Sequence, residues 1–311
     1  MRHPADEFPF IVQRLLNAPL AIHPPKMEMI VAALAERLGV SQLTTLDGRV
    51  LAFEDDEDEP LDPSSAAPQR PKGFDLVGGV AVIYVQGTLV QKLSSLRPYS
   101  GMTGYNGIRA NLIAALDDPA VKAIVLDVDS PGGECDGCFD LCDFIFGQRK
   151  AKPIWAICTS RAYSAGYALA SSASKVIVPS TGGTGSVGII CAHTDFSGGL
   201  ANAGIAITLI TYGDRKADFS ETAPLSKQAL MRAQADVDAM GGMFDDLVAR
   251  NRDMATAKVK SYQAGTFMGA NGVSAGFADA VMPPDRAFRA LASSLPPQRG
   301  RPMIVAGRSR R

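Results

Sequence analysis

The chain of 311 residues is poor in several things, and each shortage excludes a class. Its longest apolar runs, such as 80–85, reach about six residues, whereas a membrane-spanning helix needs roughly 20. It has no excess charge: 31 Lys and Arg stand against 32 Asp and Glu, for a net charge of −1. That balance argues against a dedicated nucleic-acid binder, whose domain would be basic. The opening stretch 1–16 contains Asp6 and Glu7 and no apolar centre, so a secretory leader is not expected. Five cysteines, at 135, 138, 142, 158 and 191, are an odd number in a long chain, which suits a reducing compartment. The expectation is a soluble, cytoplasmic protein with no membrane span.

What is present is globular: 46% hydrophobic and 20% charged residues, enough for one large α/β domain with appendages or two modest domains. Residues 1–53 read as an N-terminal helical segment. Within it Pro24 and Pro25 precede Met27, Ile30, Val31, Leu34 and Leu38 at helical spacing, and Gly39 follows as a stop. Residues 54–73 read as a linker, because six adjacent carboxylates (54–59) repel one another and the prolines after them support no ladder. A core domain is expected over 74–294. The tail 295–311 holds five arginines and no acid, and reads as disordered, with a basic docking arm as the alternative. Leaving out the acidic run and residues 299–311, the rest of the chain has 26 bases and 26 acids, so the core is neutral.

From Gly79 the pattern alternates. Residues 80–85 and 121–128 are nearly continuous apolar runs, as expected of strands covered on both faces. Further strands are expected at 154–158, 175–178, 189–194 and 205–211, and helices at 104–117, 134–149, 164–173 and much of 225–256. Such alternation predicts a mostly parallel sheet with right-handed crossovers.

Three elements could do chemistry. Asp129-Ser130-Pro131-Gly132-Gly133 closes the second strand, where ligands of open α/β sheets sit. Its glycines would let a substrate approach and leave N–H groups to hold an oxyanion; the alternative is a plain strand-to-helix turn. Ser164, among small residues at the start of an Ala-rich helix, suits a nucleophile or, alternatively, an ordinary N-cap. The turn 182–188 (GGTGSVG) is glycine-rich, but it lacks the lysine of a phosphate-binding loop.

In this order and spacing the three elements resemble the signal peptide peptidase A (protease IV) family of Ser–Lys peptidases, within the Clp-protease/crotonase fold. The resemblance covers about residues 79–282. It implies serine endopeptidase chemistry with Ser164 as nucleophile and Lys216, in YGDRK, as general base. Gly133 and Ala165, with Gly132, would form the oxyanion hole, and Ser186 would help hold the lysine amine. No cofactor is implied. The stretches NAPLAIHP (17–24) and SGMTGYNG (100–107) look like the phage head-maturation branch of the family. That branch implies capsid or scaffold polypeptides as substrate, a ring-like homo-oligomer whose neighbouring subunits complete each site, and action in the procapsid interior or host cytoplasm.

The physical demands stand apart from the family. A lysine serves as base only when neutral; bringing an ordinary one from about 10.4 to roughly 7–8 costs about 4 kcal/mol, which requires burial and no adjacent carboxylate. Asp214 and Asp218 flank Lys216 and are expected to face away from it. His193, 29 residues after Ser164, is the competing base in a Clp-like Ser–His arrangement, with a plain strand histidine as the alternative. Cys135, Cys138 and Cys142 share a helix face and read as core thiols rather than a metal site. The rivals from other classes are a non-catalytic capsid assembly protein and a crotonase-type acyl-CoA enzyme.

Overall fold

The computed structural model describes residues 18–37 and 73–296. The acidic run 54–59 and the arginines from 299 onward lie outside the described residues.

The apolar runs become the spine of one sheet. β3 (Val80–Val90), β5 (Ala123–Glu134), β6 (Ile154–Tyr163), β7 (Lys175–Val178) and β10 (Ala280–Val281) lie side by side in parallel, and β2 (Asp75–Val77) closes one edge antiparallel to β3. Helices cover both faces, which is why the first halves of β3, β5 and β6 are nearly continuous apolar runs. Ile124 and Leu126 of β5 face the larger core with Ile83, Leu112, Tyr167, Phe244 and Phe277. Ala123 and Val125, one step out of phase, face a smaller core closed by Ala287 and Leu291.

The larger face is covered by α2 (Tyr105–Asp117), α3 (Cys138–Gln148), α4 (Ala165–Ser171) and α6 (Lys227–Arg252), and the smaller by α9 (Pro284–Ser294). Among the remaining elements, α7 is Thr256–Ser261, α8 is Ala270–Ser274 and α5 is Ser197–Asn202. Short strands line one end of the sheet: β4 (Met102–Gly104) on β3, and β8 (Gly183–Gly185) on β6 with β9 (Thr266–Met268) antiparallel to it. At the N-terminal side, β1 (Leu20–Ile22) precedes α1 (Pro24–Arg37), which begins at the two prolines themselves, where their missing N–H groups cost nothing. This is an α/β fold of the Clp/crotonase type, with its helices and its parallel spine as the alternation predicted.

Two expected strands are absent. Residues 189–194 contribute only an isolated bridge, Ile190 with Leu20, and 205–211 have no regular structure. Both have strand-like patterns, but a ladder needs a partner with free N–H and C=O groups. Among the described residues no strand pairs with 205–211.

Candidate active site

The Ser-Pro-Gly-Gly stretch is not a turn. β5 carries it on as strand to Glu134, with register shifts at Val128/Ser130 against β6 and at Gln86/Thr88 against β3. Glycine makes this possible. A Cβ at Gly133 would strike the Leu89 carbonyl, so only glycine lets β3 approach to ladder distance. Gly132 has φ +102°, a conformation that side chains resist. Its N–H donates to Ser130 Oγ at 3.1 Å, and Ser130 Oγ donates to the Gly87 carbonyl at 2.7 Å. The N–H of Gly132 is therefore already engaged. Ser130, fully buried, is a positioning residue that sequence reasoning passed over; its only signal was its place before the glycines.

Ser164 sits where β6 turns into α4, with φ 52° and ψ −122°. A non-glycine residue in such a conformation costs about 1–3 kcal/mol and persists only when its surroundings over-determine it. Here the Ser164 N–H donates to the Gly185 carbonyl at 2.9 Å and its carbonyl accepts from Ala168 N–H at 2.9 Å. The hydroxyl makes no capping bond to α4, so the N-cap reading does not describe it; Oγ lies 3.4 Å from the Gly188 carbonyl instead. Ala165, next in the chain, has by position no intrahelical acceptor for its N–H. A Cβ placed on Gly132 would lie 2.9 Å from Ser164 Cβ and 3.1 Å from Ala165 N, so the glycine strand and the serine junction are in direct apposition.

Ser186 also holds a positive φ, 57°, and its N–H donates to the Gly265 carbonyl at 2.9 Å, tying the 182–188 turn to the segment before β9. Beside it opens a cleft of about 340 Å³, bordered by Ile22, His23, Gly188, Ile190, Ala264 and Thr266.

Lys216 lies outside this assembly of strands, on an exposed turn closed by its own N–H to the Gly213 carbonyl at 3.1 Å. Among the described residues no carboxylate pairs with it. Asp218 is held instead by Arg232, through Nε at 2.6 Å and Nη2 at 2.5 Å. The burial that the chemistry demands of a basic lysine is therefore not supplied by the described residues of one chain. The segment that leads to Lys216 exposes apolar side chains: Ile210 is 97% and Tyr212 102% exposed, with Ile205, Ile207 and Leu209 also open to solvent. His193 is half-buried, its ring 6.2 Å from that of Phe219 and edge-on to it.

A profile of peptidase family S49 matches residues 147–295, which include Ser164, the 182–188 turn and Lys216. The chain is 35% identical over 303 residues to the capsid assembly protease C of Escherichia phage lambda, covering 94% of this chain and 67% of that protein. It belongs to peptidase family S49. The head-tail preconnector protein GP5 of Enterobacteria phage P21 is 36% identical over 286 residues, 92% of this chain, and the chain spans 57% of its length. Protease 4 of Haemophilus influenzae is 26% identical over 216 residues.

Four of the five thiols of this S49 chain belong to its core, and Cys191 is half-buried. Cys135, Cys138, Cys142 and Cys158 are buried and unpaired by disulfides. Burial pushes Cys135 and Cys158 up to about 12, and Cys138 rises through its hydrogen bond with Cys142 and through burial, so these remain thiols. Among the described residues no cluster of His, Cys, Asp and Glu is arranged to hold a metal, and no helix is long and apolar enough to cross a membrane.

Proposed function

We propose that this S49 chain is a serine endopeptidase in which Ser164 is the nucleophile and Lys216 the general base. Lys216 takes the Ser164 hydroxyl proton as Oγ attacks the scissile carbonyl. The N–H groups of Gly133 and Ala165 receive the oxyanion, and Gly132 contributes by leaving room where a side chain would stand. The proton passes to the leaving amine, and water activated by the same lysine hydrolyses the acyl-enzyme. Ser186 positions the lysine amine. No cofactor takes part. One observation carries the reading: Ser164 is held at a strained positive-φ junction, released from capping, and directly apposed to the Gly132–Gly133 strand.

The exposed position of Lys216 favours a homo-oligomer in which a second copy covers Ile210 and Tyr212 and desolvates the lysine. The names of the two phage relatives favour capsid or scaffold polypeptides as substrate and the procapsid interior or host cytoplasm as the place of action. Residues 74–294 would be the peptidase domain, preceded by a helical segment (1–53) and acidic linker (54–73) and followed by the basic tail (295–311).

The test compares wild type with Ser164→Ala, Lys216→Ala and His193→Ala for cleavage of capsid protein and for labelling by a serine-reactive phosphonate. Loss in the first two, by a factor of at least 10³, with His193→Ala active, is expected. Full activity in Lys216→Ala ends the dyad. Loss in a folded His193→Ala transfers the role of base to the histidine. A wild type inert in every oligomeric state, and still inert when Leu20–Ile22 is displaced, identifies a non-catalytic assembly protein.

A further inference from the structure

β1 lies where an extended peptide would lie to meet Ser164. It runs antiparallel to the glycine end of β5, pairing Leu20 with Glu134, Ala21 with Gly133 and Ile22 with Gly132. Along its other edge, Leu20 and Ile190 exchange backbone hydrogen bonds at 2.8 and 2.9 Å. The short strand is thus clasped between two rails, the glycine end of β5 and the segment at Ile190.

The register fixes which residue faces the chemistry. The His23 N–H donates to the Pro131 carbonyl at 2.7 Å, so 23 and 131 are a bonded position of the ladder. Bonded and non-bonded pairs alternate in antiparallel sheets, which makes Ala21 and Gly133 the next bonded pair. The Ala21 carbonyl therefore takes the Gly133 N–H, one of the two donors assigned to the oxyanion. The same oxygen crowds the position a Cβ on Gly132 would take, and that position is also 2.9 Å from Ser164 Cβ and 3.1 Å from Ala165 N. Carbonyl oxygen, nucleophilic residue and second donor surround one spot. Ser164 is fully buried as a result.

The side chains alternate as in a bound peptide. Ala21 turns into the larger core, while Leu20 and Ile22 pack on the opposite side with Met27. We propose that Leu20–Ile22 is an internal occupant of the peptide cleft, with Ala21 in the place of the residue whose carbonyl Ser164 attacks, so that the chain is latent until this strand leaves. The inference rests on Ser164 as the reacting residue. It also defines the substrate class: an extended polypeptide that adds a strand to β5, with a small residue at the attacked position and apolar residues on either side.

The experiment uses the full chain. Leu20→Asp/Ile22→Asp places carboxylates where buried apolar side chains sit and expels the strand, and Ala21→Arg does so by bulk; circular dichroism and thermal melting establish that each remains folded. A fluorescent phosphonate is expected to label Ser164 at least tenfold faster in both variants than in wild type. In parallel, a fluorescein-labelled peptide of sequence NAPLAIHP (residues 17–24) is followed by anisotropy on the same proteins carrying Ser164→Ala. It is expected to bind the expelled variants and not the protein with its native strand. Equal labelling with no peptide binding by folded variants overturns the proposal, as does equal peptide binding with and without the native strand. Peptide binding confined to the expelled variants, with no labelling of any protein, sustains the occupancy and removes Ser164 from the chemistry instead.

Discussion

The Ser164 N–H donates to the Gly185 carbonyl at 2.9 Å, and both residues hold positive φ, 52° and 109°. One is a glycine that adopts this conformation freely; the other is a serine that does not. The strain therefore sits on the residue proposed as the nucleophile.

Ser164→Gly and Ser164→Ala should both abolish phosphonate labelling, but they should differ in stability. Glycine relieves the positive φ, so Ser164→Gly is expected to exceed Ser164→Ala by about 1 kcal/mol in urea unfolding. Equal midpoints would show that the junction is unstrained.

Gly132→Ala places a methyl against the Ala21 carbonyl, 2.9 Å from Ser164 Cβ and at φ +102°. The expected result is loss of labelling together with about 2 kcal/mol or more of stability. Gly147→Ala is the control, since a Cβ there meets nothing within 4 Å; it should leave labelling unchanged and, because Gly147 lies in α3, raise stability by up to about 1 kcal/mol.

The spine of the fold was legible because buried strands write their apolar runs directly into the sequence, as 80–85 and 121–128 do. The extension of β5 through Gly132 and Gly133 was not. Glycine pairs ordinarily mark turns, and only the approach of Leu89 explains why here they continue a strand. Ser164 could be singled out by its small neighbours, yet its backbone conformation is imposed by Gly185 and cannot be read locally. The expected strand at 205–211 failed for a different reason: alternation predicts the shape of a strand, and among the described residues no partner completes its ladder. Residues 17–24 were noticed only as a likeness, because nothing local says that Ala21 pairs with a glycine 112 positions away.

Asp279 supplies the pH dependence. Burial pushes its carboxyl up, but two hydrogen bonds from Arg252, at 2.9 and 3.1 Å, and the Val176 N–H at 2.6 Å outweigh this and hold it below the ordinary value. A carboxyl lowered on folding adds stability above its unfolded value of about 3.9, and that stability disappears as pH falls through the folded value. Asp279→Asn should cost about 2 kcal/mol at pH 7, and the difference from wild type should shrink below about pH 4. A difference that is flat from pH 7 to pH 3 would contradict the assignment.

Asn251 latches α4 to α6. Its Nδ2 donates to Ser171 Oγ at 3.0 Å and Ser172 Oγ at 2.9 Å, while Arg149 Nε donates to the Ser172 carbonyl at 2.7 Å. Asn251→Ala is expected to lower stability by about 2 kcal/mol. Because both serines keep their bonds to the Ala168 carbonyl, the labelling rate of Ser164 should change less than twofold. A large kinetic effect would mean that the latch transmits to the serine junction.

The pairing of β10 with β7, Ala280 against Ile177, has a consequence for synthesis. More than a hundred residues separate the two, so a nascent chain must present the β7 edge unpaired long after β3, β5 and β6 are available. Such an edge is a template for any other strand in the cell. The last-made strand thus closes the sheet against mispairing, and a ribosome stalled before residue 280 would release a polypeptide with an open edge and a strong tendency to aggregate.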